Sequence, residues 1–137
     1  MFLLDTNVVS ELRRPDKADH NVRAWANANA AASFFLCAIS ILEIELGLLL
    51  IARKDATHGA HLRNWIDNQI LPRFEGRILA IDTAVAQRCA RLHVPNPRAD
   101  RDALIAATAL VHGLTLVTRN VTDFEPTGVA LVNPWRV

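Results

Sequence analysis

Short apolar runs punctuate the chain, and stretches with helical spacing separate them. Met1 to Leu4, Phe34 to Cys37, Arg77 to Ile81 and Leu114 to Thr118 have the length and near-continuous apolar character of strands buried on both faces. Val129 to Val132 is a candidate fifth strand at an edge. Between the runs the apolar period lengthens. Thr6-Asn7 can cap a helix over Val8 to Arg13, which Pro15-Asp16 breaks. Val22, Trp25 and Ala26 share one face of a helix over Asn21 to Ala30. Thr57 to Leu71 is a further helix, ended by Pro72. Asp82 caps Ala84 to Leu92, Pro95 and Pro97 mark a loop, and Asp102 opens a helix to His112 that Gly113 stops. Strands alternating with helices predict an α/β fold whose parallel sheet is covered on both faces.

One stretch is ambiguous by pattern alone. Ser33 to Ala52 is apolar and about long enough to span a bilayer. Glu43 and Glu45 lie inside it, and ionised groups at mid-membrane cost several kcal/mol each. Its character also changes partway, from a strand at Phe34 to Cys37 to a helix from Ser40. We therefore expect a strand leading into a buried helix, and no membrane span. Ser40 and Glu43 have capping-box spacing. Ile41, Leu42, Ile44, Leu46 and Leu48 to Ile51 leave the helix almost no polar face, which predicts burial on every side, part of it as a dimer interface.

Composition narrows the function classes. With 137 residues, 51% hydrophobic, the chain suits one folded domain over 1–137. A net charge of +1 argues against a protein that grips nucleic acid by bulk charge, but not against an enzyme that meets RNA at one cleft. Cys37 and Cys89 form no C-x-x-C pair, so they are expected as buried small hydrophobes rather than zinc or redox groups. Asp5 interrupts the apolar start too early for a signal peptide, and a reducing cytoplasm is the expected home.

The candidate chemistry lies in carboxylates. Taken singly, Asp5 could be a cap, Glu43 a capping-box partner, Asp102 a helix-start charge and Asp123 a turn residue. Taken together they resist that reading. Asp5 ends an apolar strand, Glu43 sits in a greasy run, and Asp102 heads a nearly all-apolar helix. In open parallel α/β sheets the site lies beyond the carboxyl ends of the strands. The order of elements brings all four acids to that edge. Clustered carboxylates repel, so one must take a proton or a cation must sit among them. Hard cations such as magnesium want oxygen ligands, and a bound ion activates water and steadies charge on a phosphate.

Phe2-Leu-Leu-Asp-Thr-Asn7, Ser40-Ile-Leu-Glu-Ile-Glu-Leu-Gly47, Asp102-Ala-Leu-Ile-Ala-Ala-Thr-Ala109 and Thr118-Arg-Asn-Val-Thr-Asp-Phe124 resemble the PIN domain. Within it they are similar to the VapC toxins of bacterial toxin–antitoxin pairs, in the FitB-like branch. The resemblance covers essentially the whole chain, with four motifs in the family's order. It implies a PIN-like three-layer sandwich with a four- or five-stranded parallel sheet, a homodimer, and Mg²⁺- or Mn²⁺-dependent ribonuclease activity. It also implies a cognate antitoxin, a small DNA-binding protein whose basic tail blocks the site. Carried over by position, Asp5, Glu43 and Asp102 match the family's three principal acids and Asp123 the fourth. Thr6, Asn7, Thr118 and Asn120 match the polar support. Asp100 and Glu45 are rivals to Asp102 and Glu43; motif context favours the latter two.

Arg98, Arg101 and Arg119, with Arg13 and Arg14, flank the acids and could meet RNA phosphates; solvated surface and ion pairing with nearby acids is the even alternative. His58 and His61 are three apart on a helix without a third ligand, which reads as surface. Trp25, Trp65 and Trp135 read as packing. A haloacid-dehalogenase-like phosphatase wants an Asp where Asn7 stands, and a receiver domain wants a late lysine, but none follows Lys54. The remaining rival is a catalytically idle PIN-like module that dimerises and captures a partner. Lost acids would be its mark, and none is lost.

Overall fold

In the computed structural model, which describes residues 1–136, five parallel strands form one sheet in the order β3-β2-β1-β4-β5. The strands are short: β1 Phe2–Leu4, β2 Phe34–Cys37, β3 Ile78–Leu79, β4 Thr115–Val117 and β5 Leu131–Val132. Leu3 lies across from Phe35 on one side and Leu116 on the other. Alternation along the strands divides the interior in two. Leu3, Cys37 and Leu116 face a core built with α6 (Thr83–Leu92) and α7 (Asp100–His112). Leu4, Phe34, Leu36 and Val117 face a second core with α1 (Thr6–Glu11), α3 (Ala38–Ala52) and α4 (Ala56–Trp65). The expected three-layer sandwich is therefore present, with the fifth strand in place.

Helix α2 (His20–Asn27) begins at Asp19, whose carboxylate accepts from the amides of Asn21 and Val22. It is shorter than the span Asn21 to Ala30. Trp25 packs against Phe2 and Phe34, and Trp65 is buried, so both tryptophans serve the core. The fourth helix is continuous from α4 through a π-helical turn at Ile66–Ile70 into α5 (Leu71–Arg73), and it ends one residue past the expected stop at Pro72. Gly113, at φ +64°, closes α7 in the left-handed conformation expected of a stop.

The largest departure concerns α3. It starts at Ala38, with Cys37 as its cap, so Ser40 lies inside the first turn and no capping box forms. Ser40 is fully buried, and its hydroxyl has no hydrogen-bond partner. Within the single chain the helix is buried along one side. Ile39, Ile44 and Leu48 face the interior, while Leu42, Leu46, Leu49 and Leu50 lie on the surface. Positions 42, 46, 49 and 50 are spaced by one or two helical turns and share one stripe. Among the described residues, no helix is long and apolar enough to cross a membrane. Cys37 and Cys89 are buried free thiols.

Candidate active site

Strand β1 is central in the sheet and ends at Asp5, so that side chain emerges at the carboxyl edge between β2 and β4. Asp5 caps α1 and is only 6% exposed. Its Oδ1 accepts from the Thr6 amide at 2.8 Å. Its Oδ2 accepts from the Thr118 hydroxyl at 2.8 Å and the Asn7 amide group at 3.3 Å. Thr118 leaves β4, is fully buried, and in turn accepts from the Asn120 backbone N–H at 3.0 Å. Burial pushes the Asp5 carboxyl above its ordinary value of 3.8; these hydrogen bonds oppose the rise, and Glu43 and Asp102 add to it.

Glu43 reaches the same edge from the second turn of α3. Its Oε1 accepts from the Thr6 hydroxyl at 2.7 Å. Thr6 thus ties two acids together, one through its amide and one through its hydroxyl. Asp102 sits in the first turn of α7, behind the cap Ala99. Burial raises its pKa, and Asp123 and Glu43 raise it further. Asp123 lies on α8 (Val121–Phe124), exposed, and faces Asp102 across a cavity of about 370 Å³ that Arg98 and Phe124 also line.

The two rivals stand elsewhere. Glu45 is paired with Arg63 at 2.6 Å, and Asp100 is exposed 3.6 Å from His93. The arginines divide too. Arg98 Nε donates to the Leu92 carbonyl at 2.8 Å, and its NH2 lies 3.4 Å from the Pro126 carbonyl, so it braces the loop before α7. The Arg119 guanidinium lies 5.1 Å from the Trp135 ring centre. The Arg13 guanidinium lies 5.9 Å from that of Trp65. Arg101 comes within 3.8 Å of Glu43. Arg14 and His61 are exposed; His58 is half-buried, and its Nε2 is buried without a partner. A second cavity of about 310 Å³ between α1, α2 and α5 is lined by Arg13, Arg23 and Arg73 over Phe34 and Trp65. It contains no carboxylate, so metal chemistry has no footing there.

The model for the PIN domain matches residues 2–126. The chain belongs to the PIN-domain family. Two relatives match this PIN domain along nearly its full length. Toxin FitB of Neisseria gonorrhoeae is 38% identical over 140 residues, covering 98% of this chain and 99% of its own. VapC ribonuclease Y4jK of Sinorhizobium fredii is 34% identical over 142 residues, covering 98% of each. The crystal structure of FitAcB from Neisseria gonorrhoeae superposes with a TM-score of 0.91 at 37% identity, covering all of both chains.

The donor set of this PIN domain fits a hard divalent cation. All four acids offer oxygen, and burial, with neighbouring acids adding to it, keeps Asp5 and Asp102 above their ordinary range. Among the described residues, no three His, Cys, Asp or Glu side chains close directly around one ion. Magnesium keeps several of its waters and takes only one or two carboxylates directly, so the fit rests on the oxygen donors and not on a closed cage. Sequence reasoning missed how Thr6 couples Asp5 to Glu43, because a hydroxyl bridge between residues 37 apart has no local signature. Ion pairing with a nearby acid was one of the two readings of Arg101; that Glu43 is its neighbour only the structure shows.

Proposed function

We propose that this PIN domain, one domain over 1–137, is a metal-dependent endoribonuclease and the toxin of a toxin–antitoxin pair. The observation that carries the reading is the gathering of acids at one sheet edge, where Thr6 bridges buried Asp5 to Glu43 and Asp102 lines a cavity with Asp123, in a chain whose full-length relatives bear toxin and ribonuclease names. Asp5, Glu43 and Asp102 would hold Mg²⁺ or Mn²⁺ directly or through water, with Asp123 assisting. The bound cation supplies activation of water and neutralisation of the phosphate. The chain's own groups supply position. Three hydrogen bonds hold Asp5 rigid and leave a free lone pair on Oδ1. Thr6 fixes Glu43 Oε1 and leaves Oε2 to the cleft. Asp123, exposed, stands where an RNA strand enters.

RNA cleavage by purified protein tests this. Cleavage is expected with Mg²⁺ or Mn²⁺, lost in chelator, and reduced about a thousandfold or more in Asp5→Asn, since a positioned charge-stabilising group is commonly worth that much. An idle binding module would show no cation-dependent cleavage in the parent. The antitoxin we envisage is a small DNA-binding protein that places a basic side chain among the acids. A partner stripped of its basic tail should then inhibit poorly, and equal inhibition would refute charge capture.

A cytoplasmic homodimer completes the reading. Leu42, Leu46, Leu49 and Leu50, exposed by 47%, 37%, 56% and 54%, form a stripe that a second copy would cover. Light scattering should give twice the chain mass for the parent and the single mass for Leu46→Glu. A monomeric parent at micromolar concentration refutes the dimer.

A further inference from the structure

One of the four acids, Glu43, has a cation within ion-pairing distance. Among the described residues, Arg101 alone comes within ion-pairing distance of Asp5, Glu43, Asp102 or Asp123. Its place is unusual. It lies between Asp100 and Asp102 in the first turn of α7, where the helix dipole favours anions and disfavours a guanidinium. Helix stability therefore does not explain a cation here. Its geometry is specific as well. Glu43 Oε1 is taken by the Thr6 hydroxyl at 2.7 Å, and Arg101 faces the other oxygen, Oε2, at 3.8 Å. Oε2 is the oxygen a cation would use.

The contact is loose. At 3.8 Å it exceeds hydrogen-bond length, and the two side chains are 50% and 25% exposed. Such a pair is weak and easily left. Yet a full positive charge at that distance lowers the attraction of the cluster for any other cation.

We propose that Arg101 is a displaceable internal occupant of the acid cluster. In the metal-free chain its guanidinium covers Glu43 Oε2. It moves off when a divalent cation takes that oxygen, and the freed guanidinium can then hold an RNA phosphate by its fork of donors. One residue thereby sets a threshold for metal uptake and couples it to substrate binding. This rests on the reading of the site as a cation-binding nuclease centre. Arg101 is a positioning residue in the empty site and a substrate contact in the loaded one.

The test is Mn²⁺ binding to the full chain without RNA, followed by calorimetry or by the electron-spin signal of free Mn²⁺. Arg101→Gln should bind Mn²⁺ about threefold to tenfold more tightly than the parent, the scale expected for losing one unit charge near a divalent ion. Arg101→Lys, which keeps the charge, should stay within about twofold of the parent. The gap should shrink as salt rises, because the site is partly exposed. In a companion assay at saturating Mn²⁺, Arg101→Gln should show a higher KM for RNA, and Arg101→Lys a smaller rise. A parent that binds Mn²⁺ while Arg101→Gln binds it equally or less well overturns the proposal alone. A parent that takes up no Mn²⁺ overturns the reading of the site, and the proposal with it.

Discussion

Glu45 commits both oxygens to a fork with Arg63, at 2.6 and 3.0 Å, and the same arginine also reaches Asp67 at 3.1 Å. Two residues earlier on α3, Glu43 turns toward Asp5 and Asp102 and meets only a hydroxyl and a distant guanidinium. The consequences are opposite. Hydrogen bonding to Arg63 lowers the pKa of Glu45. Burial, and then the neighbouring acids, raise those of Asp5 and Asp102. One cluster is an ion-paired surface network, the other a pocket of carboxylates with no close cation among the described residues. A structural ion pair satisfies its charges internally, whereas a site that must accept a cation leaves them wanting one.

The sharpest way to break this comparison is to neutralise each glutamate. Glu43→Gln should reduce metal-dependent RNA cleavage by about a thousandfold, as expected for a group that holds the cation and its water. Glu45→Gln should cleave at the parent rate. Equal losses in the two variants would show that charge on α3, not placement at the sheet edge, is what matters.

A smaller effect concerns stability. Asp102 holds its proton more tightly folded than free, so the folded state binds more protons as the group titrates. Its contribution is therefore fully present below 3.8 and is lost as pH rises through the elevated folded value. Asp102→Asn escapes that loss. In chelator at neutral pH it should melt no lower than the parent and up to about 1 kcal/mol more stable, since Asp102 is partly exposed and water screens the repulsion. The advantage should fade toward pH 3.8 and narrow or reverse when Mg²⁺ stabilises the parent. Melting curves with chelator and with magnesium decide it. A loss of stability in both conditions would make Asp102 an ordinary helix-start residue. Glu45→Gln should move the melting point least, because its pair with Arg63 lies in water.

Much of the fold was legible because it depends on period. The apolar run ending at Asp5 predicts a central strand, and alternation with helices predicts a parallel sheet whose carboxyl edge gathers Asp5, Glu43, Asp102 and Asp123. That α3 carries more apolar surface than one chain's core needs was legible too, but which leucines stay outside that core was not. Leucine at positions 42, 46, 49 and 50 has the same hydropathy whether it meets this chain's core or nothing in it.

The sequence by itself determined which carboxylates exist, how far each stands from a strand end, and therefore which edge they share. Local propensity and spacing settle those matters within ten or twenty residues. Only the tertiary structure decided how the acids are held. Thr6 bridges Asp5 to Glu43, Thr118 reaches back 113 residues to Asp5, and Arg101 rather than Arg98 or Arg119 comes within ion-pairing distance of Glu43. Side chains of one type are interchangeable in a sequence. Hydrogen bonds and charges act over a few ångströms, so partners far apart in the chain are chosen only when packing sets those distances.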